Sequence, residues 1–397
     1  MDTDELNRLI RSLNASGEEA APARLELLRG DEPAAETGAE SAAPEAGTLP
    51  GGLVALLTET VRRGGTDLLL VPGSPPAIRL HGRLEPLPGE PLGLQAVASL
   101  VRPALSADRR RRLAETGSVD LSFHVPAVGR FRANLHRTQA GEAAALRVLP
   151  RRIPTLSELG LPASLHDLTR AARGLVLVTG AAGAGKTTTL AALLERVVAE
   201  EKRHVITIED PVEYEHRHGK SIVEQIEIGT DAPDFATALV SALRQNPDVL
   251  LVGEMRDEET ARTVLTAAET GHLVLTTAHT NDAPQTVHRV LDLFPPAQQT
   301  QVRQQLSLCL SAVVCQQLVP RRDGSGRTAA VEILLVTDAV RAHIRRGQLQ
   351  HLHNEITLGR RLGMVTMEES LSALVRDGTV SEAEARLRAS HPEDLRA

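Results

Sequence analysis

Aromatic residues are scarce in this chain: four phenylalanines, one tyrosine and no tryptophan among 397 positions. So few rings offer almost no surface on which bases could stack, and a net charge of −7 supplies no broad positive field for a phosphate backbone. Both absences argue against nucleic acid as a partner. The one opposing feature, the run Arg109 to Arg112, opens a helical pattern that contains Glu115 and reads as a solvated helix face. Cysteine is nearly missing too. Cys309 and Cys315, six apart on a helical pattern, are too few for a tetrahedral zinc site or a disulfide framework and read as core fillers. No stretch approaches the roughly 20 apolar residues of a spanning helix, and the start MDTDELNRLI has neither a basic nor an apolar leader region. The expectation is a soluble, cytoplasmic protein.

What is present divides the chain. Residues 15–48 are mostly Ala, Glu, Gly and Pro with little large apolar side chain, which predicts an acidic disordered linker after a short amphipathic, frayed helix in DELNRLIRSL. The N-terminal extension is therefore placed at 1–48. From Gly51 to about Pro154, helical LVALLTETVRR and QAVASLVRPAL alternate with strand patterns DLLLV, AIRLHGRL, VDLSFHV, GRFRANLHRT and AALRVLP, so 49–154 is expected to be a small α+β domain. Over 155–397 the apolar strands GLVLVT, HVITIE, DVLLVGE, HLVLTTA and AAVEILLV are separated by helices. That order predicts an α/β domain with a mostly parallel, buried sheet, followed by C-terminal helices.

The segment Gly180-Ala181-Ala182-Gly183-Ala184-Gly185-Lys186-Thr187 matches GxxxxGK[ST] between an apolar strand and a helical run. Glycines let such a loop wrap so that its N–H groups and the helix start face phosphate, while the lysine bridges phosphates and Thr187 holds Mg²⁺; Thr188 follows in the same helical turn. Only three lysines occur in the chain, Lys186, Lys202 and Lys220, and one of them stands at this position. ATP with Mg²⁺ is the expected ligand. Glu254, in PDVLLVGEMRD, closes a buried strand where a carboxylate can orient a metal-bound or attacking water, although Gly253 replaces the usual preceding aspartate. Glu209, Asp210 and Glu213 put three carboxylates within five residues on another strand end. His272 and His279 flank the strand LVLTTA, a spacing that fits a γ-phosphate sensor.

With these residues in view, the chain from about Gly51 to about Ala385 resembles the retraction ATPases of type IV pili, within the type II and type IV secretion ATPase superfamily. The resemblance rests on GGTDLLLVPGSPPAIRLHGRL, GRFRAN, TLSELGLP, the P-loop, ITIEDPVEYEH, NPDVLLVGEMRDEETA, AAETGHLVLTTAHT, RVLDLFP, VEILLV and GMVTMEESL. It implies a homo-hexameric ring whose subunits pair a PAS-like N-terminal domain with a RecA-like ATPase domain. It also implies an inner-membrane pilus platform protein as partner, a paralogous retraction ATPase as a further one, and membrane association only through partners at the cytoplasmic face.

Carried over by residue, the resemblance makes Glu213 the catalytic base, Glu254 the Walker B glutamate and a metal-site residue with Thr187, and His272 and His279 the histidine box. Arg130, Arg132 and Arg147 match N-terminal-domain arginines that approach the nucleotide's phosphates. Departures from the family pattern are TDLLL for SDLHL, Ile226 where arginine is usual, and VRAHIR over 340–345 for the family's AIRNLIR segment. The absence of a four-cysteine insertion sets the chain apart from pilus-assembly and type II secretion ATPases.

Overall fold

The computed structural model describes residues 7, 8, 11, 12, 14, 49–80 and 82–396. The predicted acidic linker at 15–48 lies outside the described residues, as does most of DELNRLIRSL. The described part of that segment is helical and tied down rather than frayed. Arg11 Nε donates to Glu90 Oε1 at 2.9 Å, Asn14 Nδ2 to the Pro91 carbonyl at 3.0 Å, and Gly93 N–H to Asn14 Oδ1 at 2.8 Å.

Two compact units result, one ending at Arg151 and one beginning at Arg152. In the first, α1 (Gly51–Arg62), α2 (Ala96–Val101) and α3 (Ala107–Thr116) accompany a six-stranded antiparallel sheet in the order β3-β2-β1-β6-β5-β4. Its strands are β1 (Asp67–Leu70), β2 (Ala77–Leu80), β3 (Arg83–Pro86), β4 (Ser118–Val125), β5 (Gly129–Thr138) and β6 (Gly141–Val148). The expected single strand AIRLHGRL is a hairpin instead. Gly82 takes φ +83, which lets the chain reverse so that Leu80 pairs with Arg83. Strand alternation is plain in β5, where Phe131, Ala133 and Leu135 are buried against Leu53, Leu57 and Leu100 while Arg130, Arg132 and Asn134 stand on the other face. Leu113 is the single buried side chain of α3, so its arginine run does cover a solvated face.

The second unit is built on seven strands in the order β13-β12-β7-β11-β10-β8-β9. They are β7 (Gly174–Thr179), β8 (His204–Glu209), β9 (Ile222–Glu227), β10 (Val249–Val252), β11 (Leu273–Ala278), β12 (Leu310–Pro320) and β13 (Arg327–Leu335). All neighbours are parallel except β12 and β13. Successive residues of the buried strands serve opposite layers. Leu175 and Leu177 face one core with Leu250, Val252 and Val264, whereas Val176 and Val178 face another with Leu190, Leu193 and Val197.

The helices are α4 (Leu165–Leu168), α5 (Lys186–Glu200), α6 (Phe235–Leu243), α7 (Glu258–Thr270), α8 (Ala283–Asp292), α9 (Pro296–Cys309), α10 (Asp338–Arg346), α11 (Leu352–Leu358), α12 (Met367–Arg376) and α13 (Glu382–Arg388). This is a RecA-like α/β domain with a helical C-terminal part.

Two strands, β9 and β12, escaped the sequence pattern. The helical reading of the two cysteines holds only to Cys309, the last residue of α9; Cys315 lies in β12, whose Val313 and Val314 pair with Leu177 and Val178 of β7. Both thiols are buried, as expected of core fillers. Among the described residues no helix is long and apolar enough to cross a membrane.

Candidate nucleotide site

The loop between β7 and α5 is shaped by what lies beneath it. Gly180 and Gly185 adopt φ +140 and +86, and a Cβ at Gly180 would stand 2.2 Å from the carbonyl oxygen of Gln316. That residue, on β12, also holds the loop by its side chain: Nε2 donates to the Ala184 carbonyl at 2.8 Å, and Oε1 accepts from Thr189 Oγ1 at 2.7 Å. Ala181, Ala182 and Gly183 form the exposed lip, and Ala184 is buried. Helix α5 starts at Lys186, its first-turn N–H groups opening toward the loop, and stays in place because Leu190, Leu193, Leu194 and Val197 bury one stripe.

Lys186 is buried, and burial lowers its pKa, an effect opposed by the nearby Glu254 carboxylate. Its ammonium donates to the carbonyls of Gly180 at 2.8 Å and Ala181 at 3.2 Å and lies 3.4 Å from His279 Nδ1. The other ring nitrogen of His279 is 3.6 Å from Glu254 Oε2, and Glu254 also pairs with Arg256. A lysine, an imidazole and a carboxylate thus run in sequence across the C-terminal ends of β7, β10 and β11, where ligands bind in parallel sheets. A Cβ at Gly253 would approach the Ile208 carbonyl tightly, at 3.3 Å, and make ordinary contact with Glu209 Cα at 3.5 Å.

Glu213 is half-buried in the segment after β8. Flanking residues fix that segment. Val212 N–H donates to Glu227 Oε2 at 3.2 Å, Gln225 Nε2 donates to the Tyr214 carbonyl at 2.9 Å, and Tyr214 Oη meets Thr188 Oγ1 at 2.9 Å. Further along, His216 Nδ1 contacts Glu195 Oε2 at 3.1 Å on the same face of α5, two turns beyond Thr188. Beside this segment Glu209 is buried, and burial pushes its pKa up to about 7, against hydrogen bonds from Thr207 and Gln225.

His272 does not join this group. It precedes β11, and its Nδ1 lies 3.0 Å from the Ala267 carbonyl. The strand between it and His279 carries it about 20 Å from the P-loop end of the sheet. Arg130, Arg132 and Arg147 lie in the first unit, where register puts Arg132 directly opposite Arg147, and Arg147 opposite Asp67. Arg147 Nε donates to Asp67 Oδ1 at 2.9 Å, and Arg132 is 3.9 Å from Asp120. Gln316, Tyr214 and Gln225 went unseen in the sequence because nothing local marks them; each acts on the site across strands or loops.

A family model described as type II/IV secretion system protein matches residues 98–397. The chain belongs to the type II/IV secretion system protein family. Within that family it is 42% identical over 340 residues to the type IV pilus retraction ATPase PilT of Pseudomonas aeruginosa, covering 86% of this chain and 98% of the relative. The type IV pilus ATPase PilU of the same organism is 38% identical over 341 residues, covering 86% and 89%. A crystal structure of the pilus retraction motor PilT with bound ADP superposes with a TM-score of 0.80 at 41% identity, covering 86% of this chain and 98% of that one. Membership makes this chain a nucleotide-binding ATPase.

Proposed function

We propose that this chain is the ATPase subunit of a motor that retracts type IV pili and drives twitching motility. The observation that carries this reading is the Lys186, His279 and Glu254 series at the P-loop mouth, in a chain that spans nearly all of a retraction ATPase at 42% identity.

The reaction is phosphoryl transfer from ATP to water, in which catalysis is positioning plus stabilisation of charge. The residues Gly180 to Gly185 and the start of α5 receive the phosphates through N–H groups, with Lys186 as point charge and Thr187 and Thr188 lining the first turn. Glu213 accepts the proton of the attacking water. Glu254 orients the water, and His279, between it and Lys186, reports the γ-phosphate to both. By the family resemblance Arg130, Arg132 and Arg147 are the candidates for positive charge toward a nucleotide's phosphates, and His272 serves the histidine box from the far end of β11.

Thr187 with Glu254 fits Mg²⁺, an ion that takes one or two protein oxygens plus phosphate and water rather than a protein cage. When bound, the ion neutralises the β- and γ-phosphate oxygens. Subunits assemble as a homo-hexamer at the cytoplasmic face of the inner membrane, acting on a pilus platform protein. Ile226, which packs on the core where arginine is usual, and the divergent VRAHIR segment favour a second reading, an accessory subunit working beside a paralogous retraction ATPase.

The test is Mg²⁺-dependent ATPase activity of the purified protein together with its native mass. Hydrolysis by a six-subunit ring, lost in Glu213→Gln, supports the reading. A fully active monomer would sink it.

A further inference from the structure

Tyr214 is the only tyrosine in the chain, and its ring is buried beside the half-buried Glu213. Its hydroxyl is not needed to fill that space; a phenylalanine would bury the same ring. The hydroxyl instead reaches Thr188 Oγ1 at 2.9 Å, in the first turn of the P-loop helix, 26 positions back in the chain. Burial raises the phenol pKa, with the Thr188 hydrogen bond opposing, so the group stays protonated and able to donate.

We infer that the Tyr214 hydroxyl is a positioning group, which ties Glu213 to the P-loop helix through Thr188 and so sets the distance between the catalytic base and the bound phosphates. This deepens the reading of Glu213 as the base and rests on it. Other contacts hold the same segment, among them His216 N–H to Gln225 Oε1 at 2.9 Å, but they run elsewhere. Val212 N–H is bound to Glu227 of β9, the Tyr214 carbonyl to Gln225 of β9, and His216 to Glu195, two turns down α5. The Tyr214 and Thr188 pair joins the segment to the turn that begins with Lys186 and Thr187. A nucleotide that draws on Thr187 and Thr188 therefore moves, or fixes, the backbone that carries Glu213. Because a base must sit within hydrogen-bond reach of its water, a shift of about 1 Å is enough to cost on the order of 10²-fold in rate.

The experiment compares kcat, KM for ATP and ADP affinity in wild type, Tyr214→Phe, Thr188→Ala, Thr188→Ser and the Tyr214→Phe/Thr188→Ala double variant, with Glu213→Gln as reference. Tyr214→Phe is expected to lower kcat about tenfold or more while KM and ADP affinity stay within about twofold. Thr188→Ser, which keeps the hydroxyl, should lose less kcat than Thr188→Ala, and the double variant should lose no more than the larger single loss, because both remove one bond. A purely structural tyrosine would instead lower the melting temperature and leave kcat per folded enzyme unchanged. Wild-type kcat in Tyr214→Phe beside an inactive Glu213→Gln overturns the inference and leaves the base in place. Losses that multiply in the double variant overturn it too. Full turnover in Glu213→Gln removes the base assignment and the inference with it.

Discussion

His279 Nδ1 lies 3.4 Å from the ammonium of Lys186, while the opposite ring nitrogen faces Glu254 at 3.6 Å. One imidazole thereby lies next to both the P-loop ammonium and the strand-end carboxylate, so a charge change on any member is felt by the other two.

His279→Ala should therefore lower kcat on the order of tenfold or more, with ADP affinity changed far less. His272→Ala, about 20 Å away at the other end of β11, should leave ADP affinity within about twofold. Isothermal titration with ADP and steady-state kinetics on both variants check the pair. A large loss of ADP binding in His272→Ala would contradict the separation seen along the strand.

Arg132 and Arg147 oppose each other directly across β5 and β6, an arrangement of like charges that costs stability unless something negative is brought to it. Asp67 supplies part of that charge beside Arg147. Arg132→Ala is expected to lower ATPase activity several-fold while thermal stability changes by no more than about 1 kcal/mol, the range of an exposed ion pair. A melting curve that collapses in step with activity would make the arginine structural.

Glu332 on β13 is buried, accepts a hydrogen bond from Ala283 N–H at 2.8 Å at the start of α8, and has a pKa pushed up to about 7, chiefly by burial. The folded chain holds this proton more tightly than the unfolded chain, whose carboxyl titrates near 4.5. Stability from Glu332 is therefore fully present below that value and is lost as pH rises toward 7, at a slope of up to about 1.4 kcal/mol per pH unit. Glu332→Gln keeps the acceptor and has no proton to lose. The stability difference between variant and wild type should move in the variant's favour from pH 5 to pH 8 in denaturant melts. A difference that does not change with pH would refute the assignment.

The parts of this molecule legible in its sequence are those that local pattern controls. The P-loop announces itself because glycines, lysine and threonine at fixed spacing serve one backbone turn, and the buried strands GLVLVT and HLVLTTA are bounded by clear breaks. β12 was hidden because SLCLSAVVCQQLVP continues directly from α9, and only pairing with β7 and β13 makes it a strand. Gln316, on that strand, could not be connected to Gly180 or Ala184 without the sheet order. Glu213 was found through resemblance rather than chemistry, since three acids at a strand end look alike until Glu209 proves buried and Glu213 half-open. His272 and His279 looked equivalent by spacing, yet a strand has two ends and only one meets the loop.

The central claim, that ATP hydrolysis at this P-loop drives pilus retraction, is tested most directly by deleting the gene and scoring surface pili together with twitching. The prediction is loss of movement with retained or excess pili, restored by the wild-type chain and not by Lys186→Ala, whose missing ammonium should remove most ATPase activity, on the order of 10²-fold or more. A deleted strain that makes no pili, or one that twitches normally, would contradict it.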